Sequence, residues 1–403
     1  MLYSYICAMM TNEEYIQKHK LDDVRTLALK KAEEGVDIKW CLQQIEGWQK
    51  SRDKLPRWAE TEGVWFPPVI SMEQCSSEPT ADYKARIIER ILPAPSDRSM
   101  FMDLTGGYGI DFSFMSPLFA RSIYVERSQE LCDIAMHNFE LLHLDGAKVV
   151  CRASEEFLHA HDTSSSLIFL DPARRDGAGR KTVAISDCTP DVSQLQETLF
   201  DRSRFILLKL SPMLDINLAL TVLKHVSEVH AVSLKGECKE LLFLMDREYH
   251  GMPTYFASNL ESGDEDFSCT HEHRISASRV LSTGIGEYLY EPNASILKAG
   301  IQDVLCERYS MGKLHPNSNL FTSSVPCPHF PGRGFRVESC CGFGKKELRQ
   351  MLSDISRANI SIRNFPSTVV ELRRKLKLAE GGETYLFAST MADGKHVLIR
   401  CVK

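Results

Sequence analysis

The chain has 403 residues, more than one hydrophobic core usually supports, so its length predicts two or three domains. Apolar residues make up 43% and charged residues 25% of it, which excludes a collagen-like, coiled-coil or largely disordered protein. No apolar run has the roughly 18 residues of a membrane helix, and the opening MLYSYICAMMTNEE lacks the basic flank and cleavage site of a secretory signal. We therefore expect a cytoplasmic protein that has no membrane partner.

Residues 12–50 alternate charged and apolar groups at helical spacing, which predicts a small helical domain. The proline-rich stretch KLPRWAETEGVWFPPVIS follows, and its two tryptophans indicate a segment that lies against a neighbouring surface. We assign residues 1–77 to a helical N-terminal domain and its linker.

From about residue 78 the sequence alternates short apolar runs with amphipathic helices, the pattern that builds a parallel sheet. The last two runs, 228–235 and 239–246, are too close for a parallel crossover and must form a hairpin with an antiparallel last strand. This order differs from a dinucleotide dehydrogenase and fits the sheet of methyltransferases that use S-adenosylmethionine (SAM). The predicted elements are helices over 80–92, 128–142 and 215–226 and strands over 100–104, 122–126, 148–152, 166–171 and 204–209.

Residues 251–277 are polar and are expected to be irregular, and residues 278–330 mix helix and strand patterns. The remainder predicts an α+β module of strand (GFRVES), helix (KKELRQMLSDIS), strand (NISIRN), helix (VVELRRKLKL) and a closing hairpin of ETYLFAST and KHVLIRCV. The predicted boundaries are 78–250, 251–330 and 331–403.

Charge is distributed unevenly along the chain. Residues 333–403 contain 14 basic and seven acidic residues, a charge of +7, so with a net charge of −6 the rest of the chain has −13. A basic module on an acidic body is typical of a protein whose tail holds a polyanion while its body performs chemistry. An ordinary solvated surface explains the same residues, and charge alone does not decide between the two.

The 13 cysteines include no Cys-x-x-Cys pair and are interpreted as reduced structural thiols. One string, Cys269, His271 and His273, has residue types that bind metals. It lies in a polar, acidic stretch without a second ligand pair, so we predict no metal site and keep a metal at this string as the weaker alternative.

The clearest functional motif is DLTGGYGID, Asp103–Asp111, at the end of the first predicted strand. Its glycines, Gly106, Gly107 and Gly109, let the backbone turn sharply and approach a ligand closely. The spacing lacks the third glycine of a pyrophosphate-binding loop, and SAM has no phosphate. The second predicted strand ends at Glu126, where a carboxylate can accept hydrogen bonds from both ribose hydroxyls. The combination predicts a nucleoside site.

The following strands also end in candidate residues. Ala153 and Ser154 follow the third strand, where backbone and a small polar side chain would meet the adenine ring. The fifth strand ends in KLSP, Lys209–Pro212, without a cysteine, which disfavours a covalent mechanism with a thiolate nucleophile and leaves direct attack on the methyl group.

The fourth predicted strand ends in LDPARR, where the acceptor would meet the cofactor. Pro172 stiffens the turn, so Asp171 can be held in a fixed orientation toward an acceptor. Arg174 and Arg175 could clamp a phosphate. The alternative for Asp171 is an ordinary turn former or helix cap.

The motifs DLTGGYGID, YVE, FLDPARR and KLSP, in this order, resemble those of class I SAM-dependent methyltransferases. With YLYEPNASILKAG, FPGRGFRV and NFPSTVVELRRKLKL, the whole chain is similar to a bacterial methyltransferase family with a ferredoxin-like segment and a C-terminal THUMP-like domain. The resemblance implies an α/β fold with a Rossmann-like SAM-methyltransferase sheet, parallel with one antiparallel strand, an N-terminal helical domain and a C-terminal α+β THUMP-like domain. It also implies SAM as cofactor and RNA, either tRNA or rRNA, as partner, because related enzymes present RNA through THUMP domains.

The residues and the resemblance together define the candidate site. The catalytic candidates are Asp171, Pro172 and Arg174. The cofactor-binding candidates are Asp103, Thr105, Gly106, Gly107, Gly109, Glu126, Arg127, Ala153, Ser154 and Asp171. The candidates for gripping an RNA backbone are Arg333, Lys345, Lys346, Arg349, Arg373, Arg374, Lys375 and Lys377.

The sequence departs from the Asp-Pro-Pro-aromatic turn that is common in exocyclic-amine methylation, because Asp-Pro-Ala-Arg stands in its place. No aromatic is therefore available there to stack on a base. Two alternatives stay open: a methyltransferase for a small molecule or protein, and a non-catalytic RNA-binding protein that senses SAM.

Overall fold

The computed structural model describes residues 10–30, 33–174, 184–261, 263 and 266–403. The chain divides into two compact units, the first with the residues up to Leu210, Asn217–His225 and Leu244–Tyr249, and the second with Ser211–Ile216, Val226–Phe243 and the residues from His250 onward. Over the described ranges, none of the helices has the length and apolar character needed to cross a bilayer.

The first unit begins with short helices whose starts are capped by side chains. Thr11 and Glu14 form a capping box, and Asp23 and Asp37 each accept a hydrogen bond from a first-turn amide. The helices are α1 (Asn12–His19), α2 (Val24–Ala28), α3 (Ile38–Lys54), α4 (Pro56–Glu60), α5 (Val69–Gln74) and α6 (Glu78–Ile91).

The proline-rich stretch after α3 packs against the glycine-rich motif. Trp58 is buried with its ring centroid 4.9 Å from that of Tyr108, in a core that also contains Ile110. The Gln44 side chain exchanges two hydrogen bonds with the backbone of Phe66. This segment therefore helps to support the loop that follows the first strand.

Five parallel strands form the sheet of the first unit, in the order β7-β4-β1-β2-β3. In chain order the elements are β1 (Phe101–Asp103), α7 (Ile110–Met115), β2 (Ser122–Glu126), α8 (Gln129–Leu141), β3 (Ala147–Cys151), α9 (Ser154–Ala160), β4 (Ser165–Leu170), β5 (Ala173–Arg174), β6 (Cys188–Thr189), α10 (Val192–Arg202), β7 (Ser203–Leu210) and α11 (Ile216–Val222). Strands β5 and β6 form a separate antiparallel ribbon, which was not among the predicted elements. Single 3-10 turns lie at Pro95–Asp97, Ser116–Leu118 and Ile185–Asp187.

The strand order creates a reversal of direction next to β1. The chain moves from β1 outward to β2 and β3 and then returns to β4 on the other side of β1. Right-handed crossovers on the two sides send the connecting helices to opposite faces, which leaves a crevice at the carboxyl ends of β1 and β4. Asp103 ends β1 and Asp171 follows β4, so both lie at this switch point.

The predicted hairpin is present as β8 (Val226–Leu234) and β9 (Glu237–Asp246), and the second unit contains it up to Phe243. Lys235 and Gly236 between them have φ values of 55° and 73°, as a two-residue turn of the primed type requires. The helix predicted to reach residue 226 ends earlier, at Val222, because the chain turns at His225, which has a φ of 57°.

The prediction of an irregular segment over residues 251–277 is wrong. Strand β10 (Thr254–Asn259) pairs in parallel with β8, strand β11 (Phe267–Thr270) pairs antiparallel with β10, and α12 (His271–Ser276) follows. Alternate apolar side chains such as Tyr255 are buried, which stabilises these short strands. The alternation covers too few residues of this polar sequence to predict a strand. The thiol of Cys269 is buried in β11, and among the described residues no three metal-type side chains are grouped for binding.

A second sheet of seven strands follows in the order β13-β14-β12-β15-β18-β17-β16. Its strands are β12 (Tyr288–Pro292), β13 (Gly312–Lys313), β14 (Phe321–Ser323), β15 (Gly332–Cys341), β16 (Asn359–Arg363), β17 (Thr384–Thr390) and β18 (His396–Val402). The helices are α13 (Ala294–Ala299), α14 (Val304–Arg308), α15 (Lys345–Met351) and α16 (Val369–Leu376). The strand-helix-strand-helix-hairpin order from β15 onward confirms the predicted α+β module, and together with the switch-point sheet it confirms the predicted α/β fold class.

The side chains of strand β17 show that both faces of the second sheet are covered. Leu386 and Ala388 join Leu372 of α16 in one hydrophobic cluster, whereas Phe387 lies in the opposite cluster. This period of two is expected where both faces are buried. Leu348 and Met351 of α15 belong to the same cluster as Leu372, so both helices lie on one face.

Candidate functional site

The glycine-rich loop and the end of β2 meet at the carboxyl edge of the sheet. The Gly107 amide donates to Oε2 of Glu126 at 3.0 Å, and the Ser128 amide donates to Oε1 at 2.8 Å. Two backbone donors thus fix the orientation of this carboxylate, which is partly exposed. Each carboxylate oxygen has a second lone pair, so Glu126 can accept further hydrogen bonds from a ligand.

The three glycines of the loop are needed for different reasons. A Cβ at Gly106 would lie 2.1 Å from the Tyr124 ring, and one at Gly109 would lie 2.9 Å from the Phe139 ring. At Gly107 a Cβ would enter open space, with the nearest atom 3.8 Å away, but φ is +56°. Close packing against aromatic rings is therefore a sufficient reason for glycine at two of these positions, and the approach of a ligand to the loop stays a prediction.

Thr105 connects β1 with β4 across the switch point. Its amide donates to Oδ1 of Asp103 at 2.9 Å, and its Oγ1 accepts a hydrogen bond from the Asp171 amide at 2.6 Å. The end of the first strand and the Asp-Pro turn are thereby held at a fixed distance.

The crevice is rich in carboxyl groups. Burial raises the pKa of Asp103 well above its ordinary value of 3.8, and the carboxylates of Asp111, Asp171 and Glu126 raise it further, against the Thr105 amide, which lowers it. Lys209 offsets part of this negative charge, because its Nζ lies 2.7 Å from Asp171 and 3.3 Å from Asp111.

The remaining predicted site residues take varied positions. Ser154 uses its hydroxyl to donate to the Leu104 carbonyl at 2.6 Å, which commits this group to holding the loop. Ala153 is the N-cap of α9, the side chain of Arg127 is exposed, and Pro172 is buried beside Asp171. The backbone of Arg174 lies in β5, and Arg175 lies outside the described residues.

Beside Asp171 lies a buried group of polar and charged side chains that the sequence did not predict. We call it the lysine network, and its members are Ser76, Lys84, Asp111 and Lys209. Lys209 Nζ is 2.7 Å from Oδ2 of Asp171 and 3.3 Å from Oδ2 of Asp111, and Lys84 Nζ is 3.1 Å from Oδ1 of Asp111. Burial alone would raise the pKa of Asp111, but the two ammonium groups and the Ser76 hydroxyl outweigh it and lower the pKa to about 2. Lys209 belongs to the KLSP motif at the end of a predicted strand, so its position near the site could be predicted from the sequence. Nothing in the sequence around Ser76 or Lys84 indicates their role.

The basic residues of the second unit divide into two classes. Arg333 forms an ion pair with Glu291, and Arg373 donates to the Ala358 carbonyl, so both have structural partners. The other six predicted backbone-gripping side chains are exposed on or beside α15 and α16: Lys345, Lys346, Arg349, Arg374, Lys375 and Lys377. Since both helices cover the same face of the sheet, these six residues form what we call the basic helix layer.

Two parts of the chain match known domain families. Residues 288–331 match a ferredoxin-like domain and residues 332–403 match a THUMP domain-like family. No curated protein matches the chain.

Among solved structures, the chain is similar to a "putative methyltransferase" from Porphyromonas gingivalis W83, with 36% identity over 97% of both chains and a TM-score of 0.85. It also matches "putative methyltransferase yhhF" from Escherichia coli, with 17% identity over 42% of this chain and 87% of that one and a TM-score of 0.30. An rRNA methylase from Streptococcus thermophilus matches with 13% identity over 41% of this chain and 94% of that one and a TM-score of 0.31. The last two similarities are too low to bear on function.

Proposed function

Because the chain belongs to the same bacterial methyltransferase family as the Porphyromonas gingivalis protein, with its ferredoxin-like and THUMP-like domains, we propose that it transfers a methyl group from SAM to RNA. The observation that carries the SAM assignment is the 3.0 Å hydrogen bond between Gly107 and Glu126 at the switch point. This contact brings a glycine turn and a ribose-type acid together beside the carboxyl ends of β1 and β4.

The residues of the crevice fit SAM by shape and by charge. The open space beside Gly107 gives room for a ligand, and the Glu126 carboxylate keeps lone pairs for ribose hydroxyls. SAM carries a sulfonium cation, which suits a crevice with the carboxylates of Glu126 and Asp171 at the ends of the two strands that flank β1. When bound, SAM supplies an electrophilic methyl group.

The acceptor side of the proposed site is Asp171 with the turn at Pro172. Thr105 and Lys209 hold the backbone and the carboxylate of Asp171, so its free lone pairs can orient an acceptor N–H or O–H. Fixed orientation and exclusion of water are the main contributions that a protein makes to direct transfer of a methyl group.

The basic helix layer supports RNA as the acceptor. THUMP domains are associated with RNA, and six exposed basic side chains on one face of the THUMP-like domain provide the charge that a phosphate backbone requires. We propose tRNA or rRNA as the substrate class and the cytoplasm as the place of action.

Tritiated SAM and total RNA from a strain deleted for the gene test this function. We expect the purified protein to transfer label to RNA, and nucleoside analysis of that RNA then identifies the methylated base. Label in protein or in a metabolite, with none in RNA, would favour the small-molecule or protein methyltransferase. SAM binding and RNA binding without any transfer would favour the SAM-sensing RNA-binding protein.

A further inference from the structure

We propose that Lys209 is a positioning residue that holds the Asp171 carboxylate in one orientation, and that Ser76 and Asp111 in turn hold Lys209. The inference rests on the proposed function, because it names the group that prepares the acceptor side of the same site.

Three described acceptors lie around the ammonium group of Lys209. Its Nζ lies 2.7 Å from Asp171, 2.9 Å from the Ser76 hydroxyl and 3.3 Å from Asp111, and a lysine ammonium has three N–H donors. Lys209 is buried at the end of β7, so its contacts with Ser76 and Asp111 are shielded from water and salt. An ammonium group with three acceptors in a buried position has little freedom to move.

Of the two carboxylates described beside Lys209, that of Asp171 is the more exposed to solvent. Its side chain is 37% exposed, whereas that of Asp111 is 10% exposed. Lys209 therefore contacts a buried carboxylate, Asp111, and a carboxylate that faces the crevice, Asp171. Because Asp111 holds the ammonium group in place, that group in turn fixes the position of the Asp171 carboxylate, which we assign to binding the acceptor.

Lys84 balances the charge of the anchor. It is fully buried, and its Nζ lies 3.1 Å from Oδ1 of Asp111 and 3.0 Å from the Thr80 carbonyl. With Lys84 in place, two ammonium groups face two carboxylates, Asp111 and Asp171. If Lys209 is removed, Asp111 keeps the ammonium group of Lys84, while Asp171 loses the ammonium group of its ion pair.

The matched pair Lys209→Met and Lys84→Met separates positioning from support of the fold. Both changes remove one buried ammonium group beside Asp111, so both should lower the melting temperature. Only Lys209→Met removes the ion pair with Asp171. A purely structural role predicts that the two variants behave alike once the folded fraction is taken into account.

Calorimetry with SAM and with S-adenosylhomocysteine (SAH) gives a readout without an acceptor. The two ligands differ in the sulfonium charge, so an uncompensated Asp171 carboxylate should favour SAM. We expect the ratio of the SAH Kd to the SAM Kd to rise about threefold or more in Lys209→Met and to stay near the wild-type value in Lys84→Met. Equal ratios in wild type and both variants would overturn the proposal.

A second pair of variants keeps the test decisive if Lys209→Met does not fold. Asp171→Asn leaves Lys209 uncompensated, which should lower the preference for SAM, and the double variant Asp171→Asn with Lys209→Met removes both charges and should restore it. A double variant with the same ratio as Asp171→Asn alone would contradict the proposal.

Turnover supplies the last readout, using tritiated SAM and RNA from the deletion strain. We expect Lys209→Met to lower kcat about tenfold or more without raising the KM for SAM, because orientation of the acceptor is lost. In a protein that already carries Asp171→Asn, adding Lys209→Met should change kcat by no more than about twofold. A wild-type protein that binds no SAM would refute the proposed function, whereas SAM binding with equal losses of kcat in both backgrounds would refute only the role of Lys209.

Discussion

The Gly107 amide donates to the Glu126 carboxylate across a distance of 3.0 Å, although the two residues belong to different strand ends. This contact connects the loop after β1 with the tip of β2. Oε1 of the same carboxylate accepts from the Ser128 amide, and under the proposed function the remaining lone pairs of both oxygens bind the ligand.

Glu126→Gln tests this contact. We expect SAM affinity to fall about tenfold or more, because the amide NH2 group replaces one acceptor where only donors are present. Isothermal titration calorimetry measures the effect. Glu130→Gln, at an exposed position on α8, makes the same change of charge and should bind SAM as wild type does. Equal affinities for both variants would contradict the assignment of Glu126.

Gly107→Ala and Gly236→Ala form a matched pair with positive φ and no close neighbour for the new methyl group. Each should destabilise the protein by about 1 kcal/mol, because alanine is strained in the left-handed region. Only Gly107→Ala should also weaken SAM binding, since its methyl group enters the proposed ligand space. Urea unfolding and calorimetry check the two effects, and unchanged SAM binding by Gly107→Ala would argue against a ligand at the loop.

Asp103→Asn should stabilise the protein without ligand, and increasingly so at higher pH. The raised pKa of Asp103 means that its ionised form is disfavoured in the folded state, so the wild type loses stability as the pH rises above the ordinary value of 3.8. Asparagine stays neutral and can still accept from the Thr105 amide. Urea unfolding at pH 4 and pH 8 measures the difference, and an advantage that is larger at pH 4 would contradict this sign.

Trp58→Ala should weaken SAM binding although Trp58 lies far from the loop in sequence. Its buried ring packs against Tyr108, so truncation leaves a cavity under the glycine loop and lowers the free energy of unfolding by about 3–5 kcal/mol. Leu27→Ala, in a separate buried cluster of the N-terminal helices, is the control. Leu27→Ala should lower the free energy of unfolding by about 2–5 kcal/mol, and the folded variant should bind SAM with wild-type affinity. If calorimetry shows the same SAM affinity for both variants, Trp58 does not support the glycine loop in the way that we predict.

Replacement of the six residues of the basic helix layer by glutamine should reduce RNA affinity and its dependence on salt. Each lost phosphate contact lowers the magnitude of the slope of log K against log salt by about 0.7–0.9. Filter binding with tRNA at several salt concentrations measures the slope. Arg86→Gln, Lys148→Gln and Lys224→Gln, at exposed positions of the first unit, serve as the control set. An unchanged slope in the six-residue variant would exclude this layer as the RNA contact.

The sequence alone was sufficient for most of the first sheet and the C-terminal module. The five parallel strands β1, β2, β3, β4 and β7 begin and end within one residue of the predictions. Buried parallel strands are nearly continuous apolar runs, and here they alternate with helices of clear periodicity. The motif order along the chain also indicated which strand ends carry the glycine loop, the acid and the Asp-Pro turn. Those inferences depend on local composition and on spacing, which a sequence contains directly.

Only the tertiary structure revealed how the site is supported. Ser76 and Lys209 lie 133 positions apart, yet the hydroxyl and the ammonium group are 2.9 Å from each other. Nor could the sequence separate Gly106, which the Tyr124 ring requires, from Gly107, which faces open space. Side-chain contacts between distant segments depend on the packing of the whole unit, and short strands such as β10 are stabilised by that packing rather than by their own residues.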